Sequence, residues 1–137
     1  MTPLNVRQAT ESVAAFLVGE GIAALAPATA GTAITYKRLP VTPDRAIAVT
    51  VYDIEDSITL PDVTVLVQLR FRGETNDRTD VDDLADSVAA VLDGRHQFTV
   101  GALHVQRARR VSFSPQGADD NGREERADNY ALVLMRS

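Results

Sequence analysis

Two histidines, His96 and His104, are the side chains best suited to proton transfer near neutral pH. Neither stands in a pattern that would use it: both fall in segments that read as strands, and no Ser or Asp lies at a spacing that would build a relay. Acidic clusters are the next candidates, as metal ligands. Asp82 and Asp86 are one helical turn apart, and Asp53, Glu55 and Asp56 share a short segment. They read as a solvated helix start and a polar loop. Asp119-Asp120-Asn121-Gly122 has the composition of a calcium loop but lacks its alternating ligands and closing glutamate. Gly19-Glu20-Gly21 is too short for a nucleotide fingerprint, and no Gly-Lys-Ser or Gly-Lys-Thr occurs. The chain has no Cys, so thiol nucleophiles, thiolate metal sites and disulfides are excluded. The expectation is a protein without catalytic residues, metal or cofactor, whose product is a surface.

The elements that must shape such a surface are legible from periodicity. Val6, Ala9, Val13, Phe16 and Leu17 recur at helical spacing, with Asn5 placed to cap and Gly19 and Gly21 at the end. The stretch Ile22–Gly31 is small and apolar, and Pro27 bars a continuous helix, so a loop or short extension packed on the core is expected. Strands are expected at Thr32–Leu39 and Ala46–Tyr52, separated by a turn at Pro43-Asp44, with an acidic loop at Asp53–Asp62. Val63–Arg72 alternates over ten residues, with Val63, Val65, Val67, Leu69 and Phe71 on one face.

After a loop at Gly73–Arg78, Thr79 and Asp82 resemble a short-armed capping box. Val81, Leu84, Ala85, Val88, Val91 and Leu92 then form the apolar stripe of a second helix, ended by Gly94. Strands follow at His96–Val100, Ala102–Phe113 and Ala127–Arg136, the last two forming a hairpin with a long polar tip from Ser114 to Arg126. The 137 residues fit one domain, 1–137. The expected fold is α/β in the α+β sense: a mostly antiparallel or mixed sheet, two helices on one face, and a long β-hairpin near the C-terminus.

Charge carries the rest. The formal net charge of -5 argues against general nucleic-acid binding. The N-terminus lacks the charged start and apolar core of a signal peptide, and no apolar run is long enough for a membrane span, so a cytoplasmic chain is expected. From Glu74 to Asp93 there are seven acids and one Arg, whereas from Arg95 to Ser112 there are four Arg, two His and no acid. A domain polarised in this way can associate with copies of itself, head to side. The expected contact sets Arg107, Arg109 and Arg110 of one subunit against Asp80, Asp82, Asp83 and Asp86 of the next. The polar tip, with Asp119, Asp120, Arg123, Glu124, Glu125 and Arg126, is expected to be a poorly ordered assembly arm.

As a whole the chain resembles the tail terminator, or minor capsid, proteins of long-tailed bacteriophages. Four segments carry the likeness: Phe16-Leu17-Val18-Gly19-Glu20-Gly21; Val65-Leu66-Val67-Gln68-Leu69-Arg70-Phe71-Arg72-Gly73; Thr79-Asp80-Val81-Asp82-Asp83-Leu84-Ala85-Asp86; and Asn129-Tyr130-Ala131-Leu132. The resemblance implies a ring, commonly of six copies, on the head-proximal end of the tail tube. Such a ring ends tube growth and forms the joint to the head connector. It also implies three partners: further copies of the chain, the tail tube protein and a head-completion protein. DNA would only pass through the lumen, where negative charge keeps it from sticking, and no membrane is involved. The protein would move from host cytoplasm to virion tail. Other readings are a connector or tail tube subunit, a ferredoxin-like regulatory domain that binds a small ligand, and a small enzyme.

Overall fold

The computed structural model describes residues 4–25, 31–56, 59 and 61–135. Two helices, α1 (Val6–Gly19) and α2 (Asp80–Leu92), accompany seven strands: β1 (Ala24–Leu25), β2 (Ala33–Tyr36), β3 (Ala46–Glu55), β4 (Asp62–Thr75), β5 (His96–Val100), β6 (Leu103–Ala118) and β7 (Arg123–Met135). They form one sheet in the order β1-β2-β3-β4-β7-β6-β5. The β1–β2 and β2–β3 pairs are parallel and all the others antiparallel. The fold is therefore α+β with a mixed sheet and a long C-terminal hairpin, as the periodicity implies.

Both helices bury their apolar stripes against the same face. Val63, Val65, Val67, Leu69 and Phe71 of β4 meet Leu132 and Tyr130 of β7, Val81, Leu84 and Val88 of α2, and Val13 and Leu17 of α1 in one buried cluster. Burial of this apolar surface is the main force holding helices to sheet. The helix α2 packs on β4, β7 and β6, in the middle of the sheet. The helix α1 touches β1, β2 and β3 on one side and β5 on the other, so the sheet curls around it.

Three contacts fix α1 at the β5 side. Phe16 and Phe98 lie with ring centroids 5.8 Å apart. Arg95 stacks over both rings and pairs with Glu20 at 3.1 Å. Gly101, in the turn between β5 and β6, lies so close that a Cβ there would sit 2.6 Å from Ser12 Cα.

The caps divide in their agreement with the sequence. The Asn5 side chain accepts from the Gln8 N–H at 2.7 Å, as expected. Thr79 makes no side-chain cap. Asp77 does so instead: its Oδ1 accepts from the N–H groups of Thr79 and Asp80. The free end of α2 still receives a carboxylate, but from a residue upstream of the expected box.

Strand boundaries need larger corrections. The acidic segment expected as a loop at Asp53–Asp62 is partly strand: β3 continues through a bulge at Tyr52, placing Asp53 opposite Leu66 and Glu55 opposite Thr64. Residues 57, 58 and 60 of that loop lie outside the described residues, as do 26–30 of the Ile22–Gly31 stretch and Arg136 of the last strand. Residues Gly73–Thr75, expected in a loop, prolong β4 to pair with Arg123. Gly73 is required there, because a Cβ would sit 2.7 Å from the Val81 backbone nitrogen.

The largest correction concerns the hairpin tip. Ser114–Arg126 is not a long loop. Strand β6 runs to Ala118 and β7 starts at Arg123, leaving four tip residues. The Asp119 side chain accepts from the N–H groups of Asn121 and Arg123, and Gly122 takes a positive φ of 73°. Asn121-Gly122 is thus the turn its composition suggests, set much farther along the hairpin than expected.

Candidate assembly surfaces

The core-facing side of β7 carries charge where its neighbours carry apolar groups. Asp128, opposite Leu69, and Arg126, opposite Phe71, both point toward α2. Asp128 is 0% exposed, and Arg126 donates to it through Nε at 2.8 Å and Nη2 at 3.2 Å. Arg126 also reaches Asp82 at 2.9 Å and Asp86 at 3.5 Å. Arg110 approaches Asp128 at 3.5 Å and Asp86 at 3.9 Å, while its backbone N–H donates to Asp93. The exposed Phe113 ring lies under both guanidinium groups, 5.0 Å from Arg110 and 4.4 Å from Arg126. Burial opposes the charge on Arg126, but the hydrogen bonds to Asp128 and Asp82 outweigh it and hold its pKa above the ordinary value. Burial, with the neighbouring Asp128 charge, pushes the Tyr130 phenol upward, so it stays neutral.

Several of the expected interface residues are thereby placed. Arg110, Asp82 and Asp86 belong to this network inside one chain. Asp80 is also engaged, accepting from Arg45 Nε at 2.9 Å and from the Glu74 N–H. Asp83 is exposed with no partner among the described residues. The tip residues are similarly held. Arg123 bonds Asp119 at 2.8 Å, the Val41 carbonyl at 2.7 Å and Asp44 at 3.3 Å, and Arg70 binds Glu125 at 2.7 Å. Asp120 is exposed and Glu124 half-buried. Burial raises the Asp119 carboxyl, yet the hydrogen bonds from Arg123 and Asn121 prevail and lower it below the ordinary carboxylate range.

Sequence reasoning placed Asp128 among the charges of a polar loop and missed Arg72, Asp44 and Arg45. Arg72 is 3% exposed and donates to the carbonyls of Pro43 and Asp44, tying the β2–β3 connection to the sheet. For Asp128 one signal was available, because an acid in phase with Tyr130 and Leu132 on the core side of a strand must find a partner.

Arg107 and Arg109 behave differently. They lie on the helix-free face, opposite Val133 and Ala131, exposed and without an ion-pair partner among the described residues. Uncharged side chains cross the middle of that face in one register row: Thr50, Gln68, Asn129 and Ser112. Gln68 donates to Asn129 at 3.4 Å and Asn129 to Ser112 at 3.0 Å. Among the described residues, the β6 edge beyond Ala108 has no neighbouring strand. Pro115, bulges after Arg110 and Pro115, and the Asp93 side chain on the Arg110 N–H all interrupt its backbone ladder. Such an edge resists strand addition, so contacts here fall to side chains.

His96 and His104 are exposed, opposite Arg107 and Thr99 respectively. Among the described residues no group of three or more His, Cys, Asp or Glu is placed to hold a metal ion. No helix is long and apolar enough to cross a membrane.

The description of the bacteriophage tail terminator protein family matches residues 16–136. The chain belongs to that family. Its match takes in all seven strands, α2 and the last turn of α1. No curated protein matches the chain by sequence. Among solved structures, a chain of the virion of a native gene transfer agent particle superposes with a TM-score of 0.59 at 9% identity. The alignment covers 74% of this chain and 78% of that one. At that identity the likeness is one of fold. The family is one of structural proteins, and a role in completing the phage tail follows from membership.

Proposed function

We propose that the protein assembles as a closed ring, of six copies, on the head-proximal end of the tail tube. There it ends tube polymerisation and presents the joint to the head-completion protein. The match to the tail terminator family over residues 16–136 carries this reading. The fold gives it a physical basis: a sheet braced by two helices, with charged networks holding its hairpin, is a stiff platform whose exposed side chains can meet partners without reorganising. No bond is made or broken in this role, and no cofactor or membrane takes part. DNA passes through the lumen of a protein whose overall formal net charge of -5 disfavours adhesion. The protein works in the host cytoplasm during assembly and then in the virion tail.

Electron microscopy of the purified protein, alone and after mixing with growing tail tubes, tests the reading. Annular particles and tubes of arrested length, each capped at one end, are expected. Protein that polymerises into tubes by itself would make it a tube subunit instead. Particles that join only to portals would make it a connector.

A further inference from the structure

Opposite margins of the helix-free sheet face carry opposite charge. In register terms, Asp53 stands in the row of Leu66, Ala131 and Arg109, and Glu55 in the row of Thr64, Val133 and Arg107. These two rows cross β3, β4, β7 and β6, so the acids and the arginines are roughly 14 Å apart at ordinary strand spacing. All four charged side chains are exposed and have no ion-pair partner among the described residues. They contrast with the inward charges of the same domain, nearly all of which are paired within the chain. The ground between the margins is uncharged, with Leu66, Thr64 and Ala131 half-buried and Val133 8% exposed.

We propose that neighbouring copies meet margin to margin along this face, with Arg107 and Arg109 of one subunit seated on Asp53 and Glu55 of the next, a head-to-tail contact that can close into a ring. The inference rests on the ring reading and names the surface that builds the ring. It differs from the pairing expected from the sequence, in which the acids at the start of α2 received the arginines. Asp82 and Asp86 are committed to Arg126 and Arg110, and Asp80 to Arg45. Of that set only Asp83 remains without a partner. Asp53 and Glu55 are free, share a face with the arginines and lie at its far margin. A copy-to-copy contact can therefore pair both charges without breaking an existing bridge. Each pair joins unlike charges that are already solvated, so the contact weakens with salt.

The test is a charge swap read by sedimentation and by electron microscopy. Wild type is expected to associate in low salt. The variant R107E/R109E, with two acidic margins, and the variant D53R/E55R, with two basic margins, are each expected to stay dispersed at tenfold the wild-type association concentration. An equimolar mixture of the two is expected to assemble again, as is the fourfold variant carrying both changes. Unchanged circular dichroism and melting confirm that the variants fold. If R107E/R109E is instead rescued by D83R and not by D53R/E55R, the start of α2 is the acceptor and this surface is wrong. Normal assembly of either single-margin variant also overturns the contact, while leaving the ring reading intact. Wild type that remains monomeric both alone and on tail tubes removes the ring and the contact together.

Discussion

At the scale of single residues, the β6–β7 hairpin depends on a charge placed where an apolar side chain would ordinarily sit. Asp128 is fully buried, and its carboxylate oxygens accept two hydrogen bonds from Arg126, with Arg110 nearby. Removing Asp128 takes two charge-assisted hydrogen bonds from Arg126, which keeps Asp82 and Asp86 as partners, so the cost stays below that of a fully orphaned buried charge. D128A is therefore expected to lose about 1.5–3 kcal/mol in denaturant unfolding. Replacing both partners, as in R126M/D128L, should recover much of the loss, because packed apolar groups can substitute for a buried pair. A D128A protein as stable as wild type would show that the network holds nothing in place.

At the scale of elements, the hairpin shows why polar sequence need not mean loop. From Ser114 to Asp128 the alternation is hidden twice: bulges shift the phase, and inward positions carry Arg and Asp in place of Val and Leu. Once each charge is paired, the ladder can run to the Asp119–Gly122 turn. The tip's pH response follows. The folded Asp119 carboxyl titrates below its unfolded value, which is about 3.9. Its contribution is thus complete above that unfolded value and is lost as pH falls through the lower folded one. Carboxyl-resolved NMR titration should place Asp119 below a free aspartate, with the tip amides losing exchange protection only in that acid range. An ordinary or raised value would refute the hydrogen-bonded tip.

At the scale of the whole molecule, α1 is the bracket that holds the curled sheet. It joins β1, β2 and β3 to β5, strands from opposite ends of the sheet order. The closest approach is Gly101 on Ser12, where the φ of 57° and the missing Cβ are both needed. G101A forces a methyl group into backbone and is expected to cost about 2 kcal/mol or more, lowering the melting midpoint by several degrees. Its effect should centre on α1 and β5 in hydrogen exchange while β4 and β7 remain protected. A variant that melts like wild type would mean that the helix is not seated there.

Periodicity by itself determined both helices, the alternating core of β4, a mostly antiparallel or mixed sheet with helices on one face, and the existence of a C-terminal hairpin. Those signals are local, because burial of one stripe or one strand face imposes its own repeat on the chain. Charge counts along the sequence also marked Arg107 and Arg109 as candidates for contact, and the segments quoted above sufficed to suggest the family. Only the tertiary structure decided the length of the hairpin, the cap of α2 by Asp77, the pairing of Asp82 and Asp86 inside the chain, and the curl around α1. Each of these rests on partners distant in sequence, such as Arg126 with Asp82 or Gly101 with Ser12. A charge's solvation and partner are properties of the space around it, and that space exists only once the strands have found their register.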